Sequence, residues 1–376
     1  MKNEIMRLND VCEFIVDCLH KTAPTQAEGI PLIRTPNIGK GRLILEDVYK
    51  VSDDTYKIWT KRAIPEPNDL IMAREAPAGN VAIIKDGQTV CLGQRTVHIR
   101  PDQTKINPAF LCYFLLAPKQ QGRLFAYETG ATSKHINMRD IRNLSLLGIP
   151  SKSEQKRIAD ILSAYDDLIE NNRRRVALLE QAARLLYKEW FVHLRFPGHE
   201  RVKIVDGVPE GWEKKALGKI GKLNYGKSLK ADNRIPGPFP VFGSSGIVGS
   251  HQKSLVKGPG IIVGRKGNVG SVFWSDEDFY PIDTVYFIES SASSFFLYYA
   301  LKQTQFINTD VAVPGLNRDL AHSREILFPE NRLRILFEES ISPFHNQIKI
   351  LNKYNEELAK ARDLLLPRLM NGEVKV

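Results

Sequence analysis

Eight residues, Gly221-Lys222-Leu223-Asn224-Tyr225-Gly226-Lys227-Ser228, satisfy letter for letter the spacing with which a P-loop cradles nucleotide phosphates. Such a cradle works only between a buried strand and a helix, whose backbone N–H groups and dipole converge on the phosphates. Here Gly218-Lys219-Ile220 precedes the run. Asp232-Asn233-Arg234-Ile235-Pro236-Gly237-Pro238 follows it and cannot be helical. Nucleotide binding at this run is therefore rejected. Glu-x-Lys triplets at Glu154 to Lys156 and Glu213 to Lys215 lack the upstream Pro-Asp that a nuclease carboxylate cluster needs. The eight histidines show no metal-ligand spacing.

Asn107-Pro108-Ala109-Phe110 is one proline short of the motif with which amino-methyltransferases hold a flipped adenine, and no glycine-rich loop for S-adenosylmethionine lies upstream. Asn107 as N-cap and Pro108 as first helical residue account for it, opening a helix through Phe110, Tyr113 and Leu116. No catalytic constellation remains, and no metal site is expected.

What remains is polar punctuation at matched places in two halves of the chain. Arg74-Glu75 follows the apolar Leu70-Ile71-Met72 and precedes Gly79-Asn80-Val81; Arg265-Lys266 follows Ile261-Ile262-Val263 and precedes Gly267-Asn268-Val269. A cationic side chain leaving a rigid strand end beside a loop suits the reading of base edges, since Arg bonds guanine in bidentate fashion. Arg34, Thr35 and Asn37 in the first half, and Ser244 and Ser245 in the second, lie early in polar, turn-rich stretches. Ser133, Lys134, His135 and Asn137 precede Arg139-Asp140, at the place where Val311 to Leu316 precede Asn317, Arg318 and Asp319. With Arg95 and Asn268 these are the candidate DNA contacts. The competing reading of each is a solvated loop residue, and Arg139 and Arg318 could equally cap helices.

The matched places belong to an internal duplication. Arg139-Asp140-Ile141 recurs as Arg318-Asp319-Leu320 and Ile149-Pro150 as Phe328-Pro329, both displaced by 179. Thr96-Val97 recurs as Thr284-Val285 at 188, and Phe110-Leu111-Cys112-Tyr113 as Phe295-Phe296-Leu297-Tyr298 at 185, in unbroken order. Each copy ends on a long helix. From Ser153 the apolar spacing alternates four and three residues through Ile158, Leu162, Tyr165, Ile169, Asn172, Val176, Leu179, Ala183, Leu186 and Trp190, which is a heptad seam. The same seam returns 179 residues later from Phe337 to Leu369. Each seam holds one Asn, and a buried Asn prefers another, so Asn172 is set against Asn355 in an antiparallel pair. That register sets Ile158 against Leu369, Ala183 against Phe344 and Tyr165 against Arg362, the last as a stacked pair. Ser342-Pro343 reads as an N-cap and first helical residue, so the second helix is expected to start there after a short separate one.

At 376 residues and 43% hydrophobic content the chain can hold two or three domains with real cores. No apolar run approaches the roughly 18 residues of a membrane span and no signal-peptide core opens the chain, so a cytoplasmic protein without membrane contact is expected. The cysteines Cys12, Cys18, Cys91 and Cys112 have no metal spacing and are expected to be reduced. A net charge of +10 is compatible with a polyanionic partner.

Several segments together resemble the DNA-specificity subunit of type I restriction–modification systems, over essentially the whole chain. They are Asp17-Cys18-Leu19-His20-Lys21-Thr22 with Gly29-Ile30-Pro31, Ile158 to Leu162 running on through Asp166 to Asn172, and Trp190-Phe191 to Arg195-Phe196-Pro197-Gly198. Pro209-Glu210-Gly211-Trp212 into Leu217-Gly218 and the tail from Ala361 to Glu373 match the same pattern. The resemblance implies α/β (α+β) target-recognition domains in tandem, each followed by a long helix, with the helices paired as an antiparallel coiled coil in a pseudo-two-fold repeat. The divisions are then residues 1–151 and 197–330 for the recognition domains, 152–196 for the first spacer helix, and 331–376 for the second with its tail. It further implies a non-catalytic chain that binds double-stranded DNA and no cofactor. Two modification subunits would bring S-adenosylmethionine, and restriction subunits ATP and Mg. A helix from Ile158 to Trp190 would space the half-sites by roughly 48 Å, or about 14 base pairs. The rivals are a nuclease or methyltransferase in its own right, and a coiled-coil adaptor without base readout.

Overall fold

The structure, a computed structural model, describes residues 6–75, 77–127, 135–306 and 315–376. The chain divides into one unit of Met1–Arg173 with Asn352–Val376, and another of Arg174–Leu351.

In the first unit the apolar run Leu70–Ala73 is the central strand of a five-stranded sheet. Its neighbours are Thr96–Pro101, backed by Cys12–Asp17, and Val81–Ile83, backed by Gly41–Arg42. Side chains alternate across a strand. Leu70 and Met72 therefore enter one core, with Phe110, Leu111 and Ile158, while Ile71 and Ala73 enter another with Ile33 and Ile84. Burial on both faces explains the continuous apolar run. Asn107 caps the helix Pro108–Leu116 as the sequence predicts, its Oδ1 accepting from Phe110 N at 2.9 Å.

The second unit repeats this logic in a four-stranded sheet ordered Asn224–Tyr225, Val285–Ile288, Gly260–Gly264, Val272–Ser275. Ile261 and Val263 enter an aromatic-rich core with Phe191, Trp212, Phe296 and Phe337, and Ile262 enters a smaller one with Phe242 and Phe279. The P-loop-like run lies here as strand and turn. Gly226 N donates to Val285 O and Lys227 N to Pro281 O, so these amides are spent within the sheet and do not converge on an anion.

The two long helices span Lys152–Tyr187 and Asn331–Met370. Ser151 and Glu154 start the first with a reciprocal capping box: Glu154 Oε2 accepts from Ser151 N at 3.1 Å, and Ser151 Oγ accepts from Glu154 N at 3.4 Å. Within the first unit the predicted antiparallel register is present, Asn172 Nδ2 donating to Asn355 Oδ1 at 3.0 Å. Six residues earlier the buried Asp166 carboxylate accepts from Tyr113 Oη at 2.6 Å and pairs with the Arg362 guanidinium. The expected stacking of Arg362 on Tyr165 is thus corrected, because a buried carboxylate one residue on offers the stronger partner. Arg42 bonds Glu170 at 2.9 Å and Lys85 pairs with Asp167, so the acidic stretch Asp166 to Glu170 is what ties this helix to its recognition domain.

In the second unit the position 179 residues beyond Asp166 is His345, which shares a 3.0 Å hydrogen bond with Tyr299 Oη and stacks on Phe295 at 3.9 Å. Burial holds the His345 imidazole down at about 4. Each long helix thus bonds a tyrosine of the short helix in its own unit, Tyr113 or Tyr299. The expected break at Pro343 is not there: the helix runs unbroken through it. Phe337 and Ile341, both fully buried before the proline, and Phe344 after it are held in the same core. Ser342 Oγ donates to Glu338 O at 2.6 Å. This packing offsets a local cost of about 3 kcal/mol. Among the described residues no helix is long and apolar enough to cross a membrane. All four cysteines are free and buried, and burial pushes the Cys12 and Cys91 thiols up to about 12.

Two outcomes follow. Asn172→Leu strands the Asn355 amide and should cost about 1–3 kcal/mol, whereas Asn172→Leu with Asn355→Leu should recover most of that. Denaturant unfolding measures both, and a double variant as unstable as the single one would contradict the pairing. The second concerns Asp69, buried beneath the sheet. Burial alone would raise its pKa, but bonds from Arg100 at 2.8 Å and His98 at 2.6 Å outweigh this and hold the carboxyl below its ordinary 3.8. A depressed pKa contributes stability above the unfolded value that is lost as pH falls through the folded one. The stability gap between wild type and Asp69→Asn should therefore hold steady down to about pH 4 and shrink below it. A gap that widens in acid would contradict this.

Candidate nucleic-acid interface

In the first unit the central strand stops at Arg74, whose main chain is clasped on both sides. Arg74 N donates to Arg95 O at 3.1 Å and Ile136 N donates to Arg74 O at 3.0 Å, with Glu75 bridging to His135. This brings Arg74, Glu75, Arg95 and His135 together from three separate stretches. Arg74 is half-buried with no partner on Nε, and Arg95 Nε lies 3.1 Å from Glu75 Oε2. Arg95 also adopts φ +68°, a left-handed backbone rare for a long side chain. Asn137 stands exposed at the N-cap position of the helix Met138–Arg142 with no side-chain cap bond, and Arg139 is exposed within that helix.

The earlier turn is committed internally. Thr35 is buried, the Arg34 guanidinium lies 4.4 Å over the Tyr49 ring, and Asn37 Oδ1 accepts from Arg34 N at 3.1 Å. The expectation that Thr35 and Asn37 present themselves to DNA is corrected on these grounds. Ser133 and Lys134 lie outside the described residues.

In the second unit Arg265 occupies the same place. Arg265 N donates to Thr284 O at 2.9 Å, Leu316 N donates to Arg265 O at 2.8 Å, and Lys266 bridges to Gly315. Ser271 Oγ donates to Ser244 O at 2.6 Å and to Asn268 O at 2.9 Å, so Ser244, Ser245, Lys266 and Asn268 share one corner. Gly264 must be glycine here, because a Cβ would sit 2.1 Å from Asn268 O. Asn317 is spent on the helix Arg318–His322, its Oδ1 accepting from Asp319 N and Leu320 N at 2.9 and 3.0 Å. That corrects its place among the free contacts on the acceptor side. Arg318 is helical but caps nothing: its Cζ lies 5.1 Å from the Tyr225 ring, with Arg265 Cζ 5.0 Å from the same ring.

Tyr225, which was not among the candidate contacts, lies next to both Arg265 and Arg318. It sat inside the P-loop-like run, and the available signal was an aromatic residue interleaved with Lys222 and Lys227. It packs edge-on to Tyr286 at 5.0 Å, whose phenol is pushed up to about 12, first by burial and then by Tyr225, against the opposing pull of Arg265. Side chains around the shared main-chain clasp differ in sign. Glu75 and Arg95 in the first unit stand where the second has Lys266 and Thr284. Nothing among the described residues forms a metal cluster.

A family model described as the type I restriction modification DNA specificity domain matches residues 2–181 and again 209–326. The chain belongs to this family. A specificity subunit of the type I restriction enzyme MjaIX from Methanocaldococcus jannaschii is 26% identical, over 87% of this chain and 82% of that one. The HindI specificity subunit of Haemophilus influenzae is 26% identical over 73% and 79%. A crystal structure of a type I restriction–modification S subunit from M. genitalium, 18% identical, covers 98% of this chain and 97% of that one with TM-score 0.55, which shows a shared fold. The two family matches coincide with the two sheets built around Arg74 and Arg265.

The strained backbone at Arg95 separates stability from function in this family member. Arg95→Gly releases a left-handed backbone that costs about 1 kcal/mol, and an ion pair this exposed contributes little. The variant should be as stable as wild type or up to about 1 kcal/mol more so, while binding DNA more weakly. Unfolding and DNA titration of one preparation check this; a clear loss of stability would contradict it.

Proposed function

We propose that this specificity-family chain reads a bipartite double-stranded DNA target, each recognition domain addressing one half-site through the group gathered at its strand-end arginine. The observation that carries this is the repeated main-chain clasp, Arg74 with Ile136 and Arg265 with Leu316, surrounded by side chains of different charge. A common backbone with unlike side chains is what two readers of unlike sequence need. The proposed divisions are residues 1–151 and 197–330 for reading, with 152–196 and 331–376 as spacer helices.

The chain itself performs no chemistry in this account and holds no cofactor. Modification subunits docked on the helices would bring S-adenosylmethionine, and restriction subunits ATP and Mg. A cytoplasmic setting follows from that role.

Arg74→Ala tests the reading. In the assembled complex it should weaken binding by about 1–3 kcal/mol at a base pair of one half-site, and leave discrimination within the other half-site unchanged. Competition with duplexes altered one position at a time measures this. No loss, as a coiled-coil adaptor without base readout predicts, would contradict it.

A further inference from the structure

In the second unit a cavity of about 180 Å³ is lined by Tyr225, Arg265, Lys266, Tyr286, Leu316 and Arg318 among others. We propose that this cavity is a phosphate clamp, in which Arg265 and Arg318, both positioned by Tyr225, hold one phosphodiester of the DNA backbone. The inference rests on the DNA-binding reading above and deepens it, assigning Arg265 to the backbone and not to a base edge.

Geometry comes first. Both guanidinium carbons lie about 5 Å from one ring, at 5.0 and 5.1 Å, so Tyr225 serves as a shared platform that keeps two like charges within about 10 Å of each other. Arg265 is fixed further by Nη1 donating to Asp283 O at 3.0 Å. Arg318 Nε is buried without a hydrogen-bond partner, and its nearest acid, Asp319, stands off at 3.8 Å. Two cations are thus gathered where folding alone would keep them apart, with an unspent donor between them.

The polarity of the lining then selects the ligand. Tyr286 Oη donates to Leu316 O at 2.9 Å, and Asn317 Oδ1 is taken up by its own helix. Besides the Tyr225 hydroxyl, which can donate as well as accept, what these lining side chains have left to offer is donors: the two guanidinium groups, the Lys266 ammonium and the Asn317 amide. An acceptor-only ligand fits, which leaves a phosphodiester or the O6/N7 edge of guanine. Charge decides between them. Three cations face the cavity, and a neutral base would leave their repulsion standing, whereas a phosphodiester neutralises it.

The first unit lacks the device. Tyr286 faces Val263 as Val97 faces Met72, and Tyr225 pairs with Tyr286 as Asp17 pairs with Val97, so Asp17 stands where the platform would be. The clamp is therefore a property of the second recognition domain.

Salt dependence tests this directly, because each phosphate contact released changes the slope of log K against log salt by about 1. The probe is a duplex of random sequence, titrated in potassium chloride with the full-length chain in its native assembly. Arg318→Ala should weaken binding about tenfold and make the slope shallower by about 1. Tyr225→Leu should do likewise through loss of positioning, while Tyr225→Phe and Arg318→Lys keep most of the slope and show that the fold is intact. A variant slope equal to wild type would overturn the clamp. So would weaker binding to the specific target alone, with lost discrimination at one guanine and no change on random DNA. Failure of the reading above shows differently: wild type would then bind specific and random duplexes equally, whatever Arg318→Ala does to the slope.

Discussion

A single amide pair, buried Asn172 with half-buried Asn355, sets where one long helix stands against the other in the first unit. Its net energy is modest, about 1 kcal/mol for a neutral hydrogen bond. Its selectivity is large, since any slipped register would face each amide with an apolar neighbour and leave it unsatisfied. Asp166 extends the constraint outward. Its carboxylate is shared by Tyr113 of the recognition domain and Arg362 of the second helix, so helix register and domain placement are fixed by one group. Removing Arg362 would leave the buried Asp166 charge without its ion-pair partner, at a cost of about 3–5 kcal/mol.

On that frame each unit holds a sheet whose central strand ends in a clasped arginine. The clasp is made by main chain, and main chain is indifferent to side-chain identity. Arg95, Glu75 and His135 could therefore diverge from Thr284, Lys266 and Gly315 without disturbing the strand end. The same freedom holds at the neighbouring strands, where one unit has Asp17 against Val97 and the other Tyr225 against Tyr286. Asp17 is held by Arg62 and His20, whereas Tyr225 lies against Arg265 and Arg318. A fold that fixes its backbone by hydrogen bonds and its helices by a polar seam can vary its reading surface without loss of stability.

The parts legible in the sequence were those governed by period and chain order. The seam from Ile158 to Trp190 declared itself by spacing, the Asn match gave its register, and the apolar runs before Arg74 and Arg265 gave the strand ends. The family pattern in the Asp166 to Asn172 stretch was visible too, but its physical meaning, a carboxylate shared by Tyr113 and Arg362, was not. What stayed hidden depends on partners distant in sequence. Pro343 reads locally as a helix start, and only the core around Phe337 and Ile341 keeps the helix continuous. Arg362 reads as a stacking partner of Tyr165 until the buried Asp166 competes for it. Asn317 reads as a free amide until its helix claims the oxygen, and Tyr225 was obscured by a motif whose spacing was right and whose flanking elements were wrong.

The central claim is that two domains on one chain read two separate stretches of DNA. Mapping modified adenines across a genome that encodes this chain and its assembly tests it most directly. The account predicts one recurring target made of two short specified half-sites separated by a fixed run of unspecified bases. A single uninterrupted target, or modification without a shared sequence, would contradict it.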